Sequence, residues 1–145
     1  MRTLYAEIEI NAPKRLVWQI LTAKEWWKYW NTFLFDFDPS VALQQGQQVQ
    51  LLMRRIPEEE DIEIRPLVTL MQPEVCLKWV YSSIPGFKSE FVFELQEIGL
   101  RRTKYVHKDN FSGMLTRAFV PFIREDERRG MRRMARELKR YVERY

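Results

Sequence analysis

The chain has 145 residues, 46% of them apolar and 14% aromatic, which suits one domain with a hydrophobic core of its own. A net charge of +4, from 24 Lys and Arg against 20 Asp and Glu, is a mild basicity and weak ground for an anionic partner, so no nucleic acid is expected. The single cysteine, Cys76, excludes an internal disulfide and a cysteine-based zinc site, and no apolar run is long enough to span a bilayer.

The opening, MRTLYAEIEI, alternates and lacks the apolar segment of an export signal, so a cytoplasmic location is expected. From Thr3 to Asn11, Leu4, Ala6, Ile8 and Ile10 share one face and Tyr5, Glu7 and Glu9 the other, the pattern of a half-buried strand. Asn11 suits a cap and Pro13 a first turn, which predicts a helix over 13–22 with Leu16, Val17, Ile20 and Leu21 inward and Trp18 beside them. EWWKYWNTF, residues 25–33, follows in a second short helix over 24–30. An α-helical period sets Trp26 and Trp30 on one face and Trp27 on another. Trp30 is then expected at the edge of the interior, with Trp26 or Trp27 at its rim. Phe33, Phe35 and Phe37 alternate with Leu34, Asp36 and Asp38, which predicts a strand with an aromatic inner face.

Gly46 marks a turn before a strand near 48–55, and the acidic PEEED stretch, 57–61, reads as a solvated loop. Further strands are predicted at 62–71, 75–81, 89–96 and 102–109, with turns at Pro73, Pro85–Gly86 and Gly99. From Met114 to Tyr145 the pattern is helical, with Leu115, Phe119, Phe122, Ile123, Met134, Leu138, Tyr141 and Val142 near one stripe. Pro121 is expected to kink or restart that helix. Asp126, Glu127 and Gly130 interrupt the stripe. Gly130 costs about 1 kcal/mol against alanine in a helix, and a glycine facing the sheet would leave room for something else. Strand, two short helices, a meander of about six strands and a long helix make an α+β arrangement. The sheet must cover its apolar face with the C-terminal helix, leaving a plausible cavity between the two.

Several stretches together resemble one family. INAPKRLVWQILT (10–22), the Trp30-Asn31-x-Phe33 step, VTLMQPEVCLKW (68–79), FVFEL (91–95), TKYVHKDNFSG (103–113) and ARELKRYVE (135–143) resemble the START-like, SRPBCC helix-grip superfamily over nearly the whole chain. Among its branches the polyketide cyclase/dehydrase-like proteins are nearest, followed by the chaperone-ATPase-activator-like ones. The resemblance implies a curved antiparallel sheet of about six to seven strands wrapped around the long C-terminal helix. Three positions depart from the family pattern: Ala23 where Asp is common, Thr32 where Pro is common, and Phe91 where a polar residue, often His, begins the strand. Phe91 makes the interior more apolar. Asp109 keeps an acid that is frequent four residues before the glycine.

The candidate ligand-binding residues are Trp30, Phe35, Met53, Val68, Trp79, Tyr81, Phe91, Phe93, Tyr105, His107, Phe119 and Phe122. His107, the only histidine, is in phase with Thr103, Tyr105 and Asp109 on the inner side of its strand. There it could be a hydrogen-bonded histidine near the cavity mouth, or an acid or base near neutral pH. One histidine without a thiol cluster does not make a metal site, no Gly-rich phosphate loop or nucleophile elbow occurs, and no cofactor is expected. Cys76 alternates away from Leu77 and Trp79 and reads as a filler. The arginines Arg129, Arg132, Arg133, Arg136, Arg140 and Arg144 form a basic stripe diluted by Glu137 and Glu143. It is read as a solvated face, with contact to an anionic membrane surface or an acidic protein kept open. The resemblance implies binding of a hydrophobic small molecule: a lipid, an isoprenoid or an aromatic polyketide-like compound. Two alternatives stay open: a cyclase/dehydrase-type enzyme in which His107, Tyr105 and Tyr81 move protons, and a chaperone-co-factor-like interaction module. Homo-oligomerisation also stays open.

Overall fold

The computed structural model describes residues 2–145. Strand β1 (Arg2–Ile10) leads into helix α1 (Lys14–Thr22) and a 3₁₀ turn (Lys24–Tyr29). Strands β2 (Leu34–Asp36), β3 (Leu51–Met53), β4 (Ile62–Ile64), β5 (Leu67–Gln72), β6 (Cys76–Ile84), β7 (Phe87–Gly99) and β8 (Arg102–Ser112) follow, and helix α2 (Thr116–Arg144) ends the chain. One antiparallel sheet runs β1-β8-β7-β6-β5 and a smaller one runs β2-β3-β4. The strand expected over 62–71 is broken between β4 and β5, where Pro66 cannot donate to a ladder. The two sheets meet beside that break, where Gln48 bridges Leu67 and the Val49 N–H donates to Pro66 O at 2.9 Å. The result is the expected α+β helix grip, with the strands divided between two sheets rather than laid in one.

Strand phase decides what faces α2. Across β1, β8, β7 and β6 the register sets Ala6 opposite His107, Phe93 opposite His107, Phe91 opposite Asp109, and Trp79 opposite Phe91, so these side chains stand on one face. The other face is charged, with Lys104 paired to Glu7 at 2.7 Å and Lys108 to Glu94 at 3.1 Å. Helix α2 lays Val120, Glu127, Gly130, Met131, Met134, Leu138 and Val142 against the inner face. It is continuous through Pro121, which sits on the exposed side in its second turn, so the missing N–H leaves a solvent-facing carbonyl unbonded rather than ending the helix. Gly113 fixes where α2 begins. Its φ is +105°, and a Cβ there would stand 2.3 Å from the Gly86 carbonyl oxygen, so the β6–β7 turn and the start of α2 close on each other only with glycine at this position.

Asn11 does not cap α1. Its backbone N–H takes Glu143 Oε2 at 2.8 Å instead, and the N-cap position is Pro13. Arg133 is not part of a free basic face. It reaches under the chain to Thr32 Oγ1 at 2.8 Å and Arg54 O at 2.7 Å, and so ties α2 to the entrance of β2 and the exit of β3. No helix among the described residues is long and apolar enough to cross a membrane.

Candidate functional site

The short segment after α1 positions one wall. It is a 3₁₀ turn, with three residues per turn, so Lys24, Trp27 and Trp30 share a face and all three are buried. Trp27, expected apart from Trp30, is core: its indole N–H donates to Leu21 O at 2.9 Å and its ring lies 6.5 Å from that of Trp79. Trp26 is 54% exposed and stacks loosely on Tyr29. It lines a surface recess of about 210 Å³ with Trp30, Tyr141 and Tyr145. Lys24 is inside because Asp36 Oδ1, at 2.7 Å, and Asp38 O, at 2.9 Å, meet its ammonium.

Asn31 gives the next step its form. Its side-chain oxygen accepts from the N–H of both Phe33 and Leu34 at 2.9 Å, which bends the chain so that Phe33 enters the interior. Phe33 stacks over Phe91 at 6.4 Å and meets His107 edge-on at 6.3 Å. Its ring lies directly on Gly130, where a Cβ would come within 2.4 Å of Phe33 Cδ1. Gly130 does leave room between helix and sheet, and Phe33 of this same chain takes it. The interior expected as an open chamber is thus an aromatic layer here: Trp79 against Phe91 at 5.6 Å, Trp79 against Phe93 at 5.0 Å, and Phe93 stacked on His107 at 4.2 Å.

Of the residues singled out from the sequence, Trp30, Met53, Val68, Trp79, Tyr81, Phe91, Phe93, Tyr105 and His107 are all buried on this inner side. Phe35 is turned away. Leu34 pairs with Met53 as the inward couple, so Phe35 falls on the opposite face, beneath the Arg54 guanidinium at 4.8 Å. Phe122 is 81% exposed and Phe119 lies at the margin against Phe87. The helix stripe runs through Val120 and Glu127 at that level, which puts Phe122 on the outer side.

Among the described residues, Trp79 Nε1, the Tyr105 hydroxyl and both ring nitrogens of His107 are buried in this layer without a hydrogen-bond partner. His107 is therefore not the hydrogen-bonded histidine expected near a mouth. Burial alone holds its imidazole neutral, down to a pKa of about 3, and pushes the Tyr105 hydroxyl far above its ordinary range. In the unfolded chain the imidazole titrates near 6.5. Between about 3 and 6.5 the unfolded chain binds a proton that the folded chain does not. His107 thus contributes stability that is complete above about 6.5 and is lost as pH falls toward 3, at about 1.4 kcal/mol per unit. Urea unfolding of His107→Phe should show a smaller loss of stability than the natural chain on going from about pH 7 to about pH 4.5. Equal losses in the two proteins would show that His107 is solvated in the folded state.

A second group of buried polar side chains was not picked out from the sequence as a site. Asp109 of β8 and Glu127 of α2 are both fully buried, with Tyr81 of β6 and Ser89 of β7 beside them. Arg55, from the segment after β3, reaches Glu127 Oε1 at 3.1 Å. Burial first, and then the Glu127 charge, push the Asp109 carboxyl well above the usual carboxylate range. Glu127 reads in sequence as a break in an apolar stripe. Its place four residues from Ile123 and from Met131 is the signal that puts it on the inward face.

No protein-family model matches the chain, and no curated protein matches it in sequence. Solved structures do. A START superfamily protein from Mycobacterium smegmatis is 14% identical with a TM-score of 0.73, the match covering 98% of this chain and 97% of that one. A protein from Arthrobacter aurescens is 13% identical with a TM-score of 0.75, covering 99% and 87%. Norcoclaurine synthase from Thalictrum, a point mutant in complex with a transition-state analogue, is 14% identical with a TM-score of 0.71, covering 99% and 94%. The chain has the START-like helix-grip fold.

Proposed function

We propose that the chain binds an apolar small molecule between its sheet and α2, with the ligand lying among Phe91, Phe93, Trp79, Tyr105 and His107 and displacing Phe33 from its niche over Gly130. The observation that carries this reading is the set of buried polar atoms in an aromatic layer, on Trp79, Tyr105 and His107, that have no hydrogen-bond partner among the described residues. Leaving such a group unpaired costs about 1–3 kcal/mol, and native interiors hold few of them. Sites for small molecules have this make-up: apolar walls with a few polar groups that set orientation. Trp79 Nε1 is a donor, Tyr105 and neutral His107 are each both donor and acceptor, and together they suit a lipid, isoprenoid or aromatic polyketide-like compound bearing carbonyl or hydroxyl oxygens.

Binding draws more support from these residues than ring closure by proton transfer. An imidazole with a pKa of about 3 is a weak base at neutral pH, and a phenol pushed above its ordinary range does not ionise there. Tyr105 and His107 orient a ligand in this reading. Native mass spectrometry of the protein isolated from its own host, without denaturation or detergent, is expected to show a mass above that of the chain, lost on unfolding. An apolar fluorescent probe should compete for the same site. Only the bare chain mass, together with no saturable binding of the probe, would contradict the proposal.

A further inference from the structure

We propose that Asp109 and Glu127 form a receptor for the protonated primary amine of an amphipathic ligand whose aromatic or aliphatic body lies in the neighbouring ring layer. This inference rests on the small-molecule binding proposed above and names the polar end of the ligand. The two carboxyls come from facing elements, β8 and α2, and both are fully buried. Among the described residues, no N–H or O–H meets Asp109 Oδ1, Asp109 Oδ2 or Glu127 Oε2 in good hydrogen-bond geometry, and the polar side chains beside Asp109 are those of Ser89 and Glu127. With the Asp109 proton gone, these are three acceptors at one place, and a primary ammonium has three donors.

Charge points the same way. Among the described residues Arg55 is the cation that acts on the cluster, and it is already committed to Glu127 Oε1. One guanidinium between two carboxyls leaves one negative charge to be met. In the free protein a proton on Asp109 meets it, as the raised titration of that group indicates. The charged and titratable groups that face Asp109 are Glu127 from α2, Arg55 from the segment after β3, and Tyr81 from β6. The walls also suit a cation. Phe91 stands opposite Asp109 in register, and Tyr81 meets Phe91 edge-to-face at 5.8 Å, so aromatic faces adjoin the carboxyls. A metal ion fits less well: among the described residues no group of three His, Cys, Asp or Glu side chains gathers to hold one, and Arg55 adds a positive charge.

The exchange balances. An ammonium enters, the Asp109 proton leaves to the buffer, and the site remains neutral with Arg55 and the ammonium facing two carboxylates. Phenethylamine and 2-phenylethanol, which differ only in the ammonium, separate the outcomes by calorimetry at about pH 7 in phosphate and in Tris, whose ionisation heats differ. The amine is expected to bind at least about 10-fold more tightly than the alcohol and to release about one proton per molecule bound. Asp109→Asn should abolish proton release and weaken the amine about 10- to 100-fold more than it weakens the alcohol. Should that variant not fold, the proton count on the natural chain decides alone. An amine that binds no better than the alcohol, or without releasing a proton, overturns this inference and leaves apolar binding standing. If neither compound binds, both readings fall.

Discussion

Trp27→Ala is expected to destabilise the protein by about 3–5 kcal/mol, the usual result of deleting a buried large aromatic, while Trp26→Ala should stay within about 0.5 kcal/mol of the natural chain. The two residues are neighbours in sequence and opposite in environment. Trp27 is 1% exposed and Trp26 is 54% exposed. Trp27 also loses a buried hydrogen bond to Leu21 O, which orphans that carbonyl. The loss is a large share of the 5–15 kcal/mol that holds a typical domain. Urea unfolding of both variants measures the difference. A larger loss for Trp26→Ala than for Trp27→Ala would mean that the segment is an α-helix in solution, with Trp26 and Trp30 on its inner face, and that the 3₁₀ period is wrong.

Phe33→Ala should cost a comparable amount, about 3–5 kcal/mol, but with an opposite effect on binding. Removing the ring empties the space between Gly130, Phe91 and His107. An apolar probe no longer has to expel a side chain and is expected to bind more tightly to the variant than to the natural protein. Gly130→Ala approaches the same contact from the helix. Alanine favours the helix by about 1 kcal/mol, yet its Cβ would stand 2.4 Å from Phe33 Cδ1, and overpacking of this kind costs about 1–3 kcal/mol. A net loss is expected, recovered when Phe33→Ala is combined with it. Additive losses in the double variant would show that the ring and the glycine do not share one space.

The elements that alternate cleanly were legible in the sequence, because a strand with one charged face leaves little choice of register. Thr103, Tyr105, His107 and Asp109 were placed on the inner face from period alone, and the structure puts them there. The positions that were not legible depend on distant partners. Phe35 and Leu34 both read as apolar, and only the pairing of Leu34 with Met53 decides which turns inward. The tryptophans of EWWKYW changed faces because a six-residue segment settled into three residues per turn, which propensity does not fix. Phe122 and Glu127 exchanged roles on α2 for a similar reason. Hydrophobicity favoured the phenylalanine for the interior, but helix phase carries the glutamate inward, where Arg55 reaches one of its oxygens. Arg133 looked like a member of a solvated stripe because its acceptors, Thr32 and the Arg54 carbonyl, lie about a hundred and about eighty residues away in sequence. The candidate site is thus half legible: its aromatic layer follows from strand phase, and its carboxyl pair required the helix to be docked.

The single histidine makes the central claim directly measurable, since His107 gives the only imidazole signals in the chain. In an NMR titration with an apolar aromatic probe such as 2-naphthol, ligand lying between the sheet and α2 should shift the His107 ring protons and show intermolecular NOEs to the rings of Phe91 and Phe93, which stand 4.9 and 4.2 Å from the imidazole. His107 signals that stay fixed at saturation, while those of Trp26, Trp30 and Tyr145 move, would place the ligand in the surface recess and contradict an interior site.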